Sequence, residues 1–137
     1  MFNSIIVPID LSAAEIGKSL IGVARNLGNK DAKIKLVYIV EDIPAFINSE
    51  LPSGLLDQKC AEAKDELKAI ARASGLKPSD TEVRAGSAAT AILTAAKEGD
   101  ADLIIIGSHK PGLQDYFLGS TASRVVRHAE CAVLVVR

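Results

Sequence analysis

Leu103-Ile104-Ile105-Ile106, set between Ala101-Asp102 and Gly107-Ser108-His109, decides the fold. Four apolar residues in a row, three of them β-branched, bounded by an acidic residue and a glycine, read as a strand buried on both faces. A strand covered on both sides belongs to a parallel sheet with helices above and below it. The flanking sequence agrees. Residues 4–9 (SIIVPI), 33–40 (KIKLVYIV), 81–85 and 132–136 (AVLVV) carry the other strand signals. Pro8 must close its strand, because proline donates nothing to a central ladder. Between the strands, apolar residues recur at helical spacing. Ser12 with Glu15 forms a predicted capping box ahead of Ile16, Leu20, Val23, Ala24 and Leu27, with Gly28 as the stop. A second helix is expected over 57–74, with Cys60, Ala63, Leu67, Ile70 and Ala71 on one face and Gly75 and Pro78 ending it. A third follows Ser87, carries Ile92, Leu93 and Ala96 and closes at Gly99. The last spans 120–129. Residues 41–58 and 107–118 read as loops, the first long enough to suggest function. The pattern predicts a single α/β domain over 1–137, with a five-stranded parallel sheet doubly wound by helices and right-handed crossovers.

Composition limits the function. The chain has 137 residues, 48% apolar and 24% charged, so it can bury a core without disulfides or metal. Sixteen basic against 17 acidic residues leave a net charge of −1, which argues against nucleic acid or an anionic membrane as partner. No run approaches the ~20 apolar residues of a membrane span. Residues 1–10 lack the basic start of a signal peptide and read as the first strand. Two distant cysteines, Cys60 and Cys131, without a CxxC, fit a reduced, cytoplasmic protein.

In open α/β sheets, ligands bind beyond the carboxyl ends of the strands, where strand order reverses. The residues there are Pro8, Ile9 and Asp10 after the first strand and Glu41 and Asp42 after the second. After the fourth come Gly107 to Gly112, then Leu118-Gly119-Ser120-Thr121 opening the last helix. Glycines admit an anion close to the backbone, and a helix N-terminus offers free N–H groups. Ser120 and Thr121 add hydroxyls and Lys110 a cation. Together they describe a phosphate cradle; the plainer reading is a tight turn and a helix cap. It is no P-loop, because Leu113-Gln114 stands where Lys-Ser/Thr is required. Gly17-Lys18-Ser19 lies inside a helix without its upstream glycine. No G-x-G-x-x-G occurs.

These same stretches resemble the universal stress protein family, small F/G-type branch. The matching residues are 6–12 (IVPIDLS), 36–40 (LVYIV), Gly86-Ser87, 101–109 (ADLIIIGSH), Leu118-Gly119-Ser120, 127–131 (RHAEC) and 133–136 (VLVV). The resemblance covers essentially the whole chain and implies strand order 3-2-1-4-5. It also implies a site for ATP, ADP or AMP, with Mg²⁺ held mainly by the phosphates. Nucleotide-binding members carry G-x-x-G-x(9)-G-[ST]. Gly107 matches the first glycine and Gly119-Ser120 the last pair. Lys110 stands in place of the second glycine, the following interval is one residue short, and Gly112 lies two positions on. Carried over, Asp10 meets the ribose or adenine side, with Pro8 and Ile9 as the wall beside it. The backbone of Ile39 pairs with the adenine edge. Gly107 lies under the ribose and α-phosphate, and Ile106 before it belongs to the same site. His109 and Lys110 flank the phosphates, and Gly119, Ser120, Thr121 and Ala122 hold the β- and γ-phosphates. The family also implies a homodimer through the last strand, residues 132–136.

Each of these residues has a structural reading as well. Asp10 can simply start the turn before the Ser12 cap. His109 has no identifiable partner and His128 sits near a helix end, so no catalytic residue is named. The cysteines read as structural, and residues 62–66 (EAKDE) as a solvated helix face with local ion pairs. The leading expectation is a cytoplasmic, ATP-binding stress-response switch with at most slow hydrolysis. The alternative, favoured by Lys110 and the short interval, is a dimeric interaction protein that keeps the fold and has lost the site.

Overall fold

Along the fourth strand the side chains alternate between two cores. Leu103 and Ile105 join one cluster, and Ile104 and Ile106 join the other, all nearly inaccessible to solvent. A computed structural model describes residues 1–41, 54–108 and 118–137. Its elements are β1 (Phe2–Pro8), α1 (Ala14–Leu27), β2 (Gly28–Glu41), α2 (Leu55–Ala73), β3 (Thr81–Gly86), α3 (Ala88–Glu98), β4 (Leu103–Gly107), α4 (Ser120–His128) and β5 (Ala132–Val136). The five strands form one parallel sheet in the order β3-β2-β1-β4-β5. Ile5, Val7 and Ile9 of the first strand segment pack with Leu20, Ile21 and Ala24 of α1 and Leu67, Ile70 and Ala71 of α2. On the other face Ile6, Val37 and Ile104 meet Ala89, Ile92 and Ala95 of α3 and Ala122 and Val125 of α4. The sheet is doubly wound as expected. The order reverses between β1 and β4, which places the ligand-binding end of the fold beyond Pro8 and Gly107.

Several local expectations fail for physical reasons. The capping box does not form: Ala13 caps α1 without a side-chain bond, and Asp10 instead caps a 3-10 turn at Leu11–Ala13. The second strand starts at Gly28, five residues early, because Gly28 pairs with Phe2 before a register shift restores Ser4 opposite Lys33. Gly28 does end α1, in an extended conformation and not a left-handed one. Its hydrogen is needed for space, since a Cβ there would lie 2.9 Å from the Ala32 Cβ. Helix α2 begins at Leu55, inside the expected loop, and ends in a Schellman motif with Gly75 at φ 76° and Leu76 N–H bonded to the Ala71 carbonyl. Helix α3 does close at Gly99, its C-cap, and the residue beyond, Asp100, is left-handed (φ 49°). The last helix stops at His128. The run at 62–66 is exposed apart from Ala63, but among the described residues its side chains form no ion pairs; Glu62 accepts from Gln58. Residues 42–53 and 109–117, the body of both expected loops, lie outside the described residues.

At the amino ends of the central strands, Asp102 ties β4 to β1. Its carboxylate accepts the Asn3 N–H at 2.9 Å and the Ser4 N–H at 3.0 Å, and its own N–H donates to the Ser4 carbonyl at 2.9 Å. These backbone donors, Asn3 first, hold its carboxyl below the usual carboxylate range. A depressed pKa contributes stability that is complete above the unfolded value near 3.9 and is lost as pH falls through the folded one. Asp102→Ala is expected to cost about 1–2 kcal/mol at pH 7, the site being partly exposed. In urea unfolding, the gap between variant and parent should shrink towards pH 3.

Candidate functional site

The carboxyl ends of β1, β2 and β4 open into a cleft of about 810 Å³. It lies at the predicted switch point. Pro8 closes β1, and Ile9, only 5% exposed, donates its N–H to the Val37 carbonyl at 2.8 Å. That bond extends the ladder one residue past the proline and aims Asp10 into the turn above. Ile39 comes from β2, and Ile106 and Gly107 from the end of β4. Gly119 caps α4, and Ser120, Thr121 and Ala122 form its first turn. All these expected residues line the one cleft. His109, Lys110 and Gly112 lie outside the described residues.

The two ends of the 109–117 segment are fastened together. Ser108 N–H donates to the Val136 carbonyl at 3.0 Å, and the Ser108 carbonyl accepts from Gly119 N–H at 2.8 Å. This clamp sets the start of α4 beside the end of β4. The glycines on either side of it serve different ends. A Cβ on Gly119 would come to 3.0 Å from the Ser108 carbonyl oxygen, a backbone atom, so the clamp favours glycine and would have to give by a few tenths of an ångström for any other residue. A Cβ on Gly107 would meet only Ile16 Cγ2 at 3.7 Å, an ordinary contact, so the fold makes no such demand there. Gly17 lets α1 close on β1, since a Cβ would sit 3.1 Å from Ile9 Cδ1. That packing, and no phosphate loop, is its role.

Electrostatically the cleft has two ends. Helix α4 begins with no side-chain cap and no acidic residue in its first turn. Its leading N–H groups and the positive end of its dipole therefore favour an anion. At the other rim stand Asp10 and Glu41, and among the described residues the lining holds no Lys, Arg or His. Tyr38 lines the cleft near this rim: burial raises its hydroxyl pKa, and the charges of Asp10, Glu66 and Glu41 raise it further. Ile9, Ile16, Leu20, Val37, Ile39, Ile92 and Ile106 make the apolar walls. Its helical spacing puts Ile16 in the apolar stripe of α1. It is 40% exposed because it faces this opening. Tyr38, Ser12 and Ala88 also line the cleft without having been singled out for it. Tyr38 stood in a noted strand motif, but alternation alone does not say which residue reaches past the strand end. Among the described residues no group of three or more His, Cys, Asp or Glu side chains could hold a metal ion.

A sequence profile of the universal stress protein family matches residues 1–137, and the chain belongs to that family. It is 33% identical to universal stress protein G of Salmonella typhimurium, with all of both chains covered. Among solved structures, universal stress protein UspA from Lactobacillus plantarum superposes with a TM-score of 0.74 at 30% identity, covering 98% of this chain and 97% of that one. A universal stress protein in complex with cAMP superposes with a TM-score of 0.54 at 25% identity, covering 99% and 97%.

Proposed function

We propose that this universal stress protein binds ATP, or a shorter adenine nucleotide, in the cleft beyond β1 and β4, and works as a nucleotide-dependent switch. The observation that carries the reading is the cleft itself. It unites an uncapped helix N-terminus, an apolar middle and a carboxylate rim around residues that a family motif selects. Its volume of about 810 Å³ suits a nucleotide. The related structure with cAMP supports an adenine nucleotide as the ligand class.

The lining fits such a ligand in sequence. Amides of Ser120, Thr121 and Ala122 face the β- and γ-phosphates, with Lys110 and His109 supplying charge and donors. Gly107 lies under the ribose and α-phosphate. The Ile39 backbone reads the adenine edge between the walls of Ile9 and Ile106. Asp10 accepts from the nucleoside. Mg²⁺ would be held by phosphate oxygens and water. Rapid phosphoryl transfer needs a positioned nucleophile and several charges on the transferring group. The described lining offers neither, so hydrolysis is slow at most.

The same reading includes a homodimer. β5 ends the sheet with a run of valines and a leucine, and pairing with its copy across a twofold axis would cover that edge. Among the described residues no helix is long and apolar enough to cross a membrane. Cys60 and Cys131 are unpaired, as suits the cytoplasm.

Thermal unfolding of nucleotide-stripped protein tests the ligand. At 100 times its Kd a nucleotide stabilises by about 2.7 kcal/mol. ATP, ADP or AMP with Mg²⁺ should raise the midpoint, and GTP should not. An unchanged midpoint with every nucleotide at millimolar concentration would favour the interaction-protein alternative.

A further inference from the structure

The Asp10 carboxylate is held from one side only. Its Oδ1 accepts both the Ser12 N–H, at 2.9 Å, and the Ser12 hydroxyl, at 2.6 Å. Among the described residues nothing donates to Oδ2. A carboxylate has about four acceptor sites, and Ser12 occupies two on a single oxygen. The backbone beneath is fixed as well. Ile9 is anchored to Val37, and Ala13 N–H donates to the Asp10 carbonyl at 3.0 Å. Asp10 and Ser12 are exposed, and both line the cleft. Two bonds on Oδ1 restrain the carboxylate about its χ angles.

We infer that Ser12 is a positioning residue, whose hydroxyl locks Asp10 so that Oδ2 is presented to the cleft as the acceptor for a donor on the bound nucleoside. This rests on the nucleotide reading above. An ionised carboxylate only accepts, so it selects a ligand by the ligand's donors. On an adenine nucleotide those are the sugar hydroxyls and the exocyclic amine. Free rotation of the carboxylate would spread that acceptor over several directions and weaken the selection.

The test is titration calorimetry with ATP, 2′,3′-dideoxy-ATP and inosine triphosphate. The first analogue lacks the sugar hydroxyls and the second the amine. Ser12→Ala removes the hydroxyl and keeps the backbone bond, so its melting point should match the parent's. It should weaken ATP about tenfold, or ~1.4 kcal/mol, and Ser12→Thr should restore most of that. The analogue lacking the donor that meets Oδ2 should bind the parent weakly and be insensitive to Ser12→Ala. In an Asp10→Asn background, Ser12→Ala should have no further effect. Parent-like ATP binding by Ser12→Ala, or equal weakening of all three nucleotides, would overturn the inference and leave the nucleotide reading standing. Failure of the parent to bind any of the three would overturn both.

Discussion

Gly119→Val will unseat the first turn of α4 and remove nucleotide binding, while Gly107→Ala will weaken binding and leave the fold intact. The two glycines stand at the two ends of one segment and look alike in sequence. Their surroundings differ. At Gly119 any Cβ meets the Ser108 carbonyl at 3.0 Å, and the Gly119 N–H is bonded to that same oxygen. A peptide oxygen held at the end of a central strand has little room to retreat. Valine adds two further carbons beyond the Cβ. Overpacking of this kind costs about 1–3 kcal/mol, and relief comes only by moving the helix start away from β4. The amides assigned to the β- and γ-phosphates move with it. At Gly107 the added methyl would touch a side-chain methyl of Ile16 at an ordinary distance. The methyl then stands in the cleft, where the ribose and α-phosphate are assigned. Urea unfolding and nucleotide titration on both variants separate the cases. Gly119→Val should lose stability and binding together. Gly107→Ala should lose affinity at an unchanged unfolding midpoint. Undiminished affinity in Gly107→Ala would move the ribose away from β4.

The largest loss of stability is expected at Ile105→Ala. Ile105 lies in β4, between β1 and β5, and is fully buried in the cluster that joins the sheet to α1 and α2. Removing three carbons there leaves a cavity between the central sheet and the helices packed on it. Such truncations cost about 2–5 kcal/mol, and a fully buried site between two strands belongs in the upper half. Against a total of roughly 5–15 kcal/mol, that is enough to leave a measurable unfolded fraction at moderate temperature. The edge of the sheet provides the control. Leu134 of β5 packs against the same cluster but is only partly buried, so Leu134→Ala should cost distinctly less. Equilibrium denaturation in urea gives both values, with the m-value unchanged if the denatured state is unaffected.

Residues 103–106 make the architecture legible, because four apolar residues in a row, three of them β-branched and bounded by an acidic residue and a glycine, read as a strand buried on both faces. Strand order was not legible in the same way. Alternation shows which side chains share a face and is silent on which strand lies beside which, so the order came from the family resemblance. The site was readable where chemistry and chain position coincide, at Asp10, Gly107 and the start of α4. It was not readable where a residue's role depends on tertiary approach. Ile16 fits the apolar stripe of α1 and yet faces the cleft. Ser12 looks like a helix cap and instead holds Asp10. The extra length of β2 was hidden because residues 28–32 are turn-formers in composition, and pairing with β1 overrides that propensity.

The central claim is that a nucleotide lies across the ends of β1 and β4 with its phosphates at the start of α4. Backbone amide shifts of the ¹⁵N-labelled protein, followed during titration with Mg²⁺–ATP, test it residue by residue. The largest shifts should fall on Gly107 and on Gly119 through Ala122, with smaller ones at Asp10 and Ile39. Shifts confined to other surfaces, or none at saturating ATP, would contradict it.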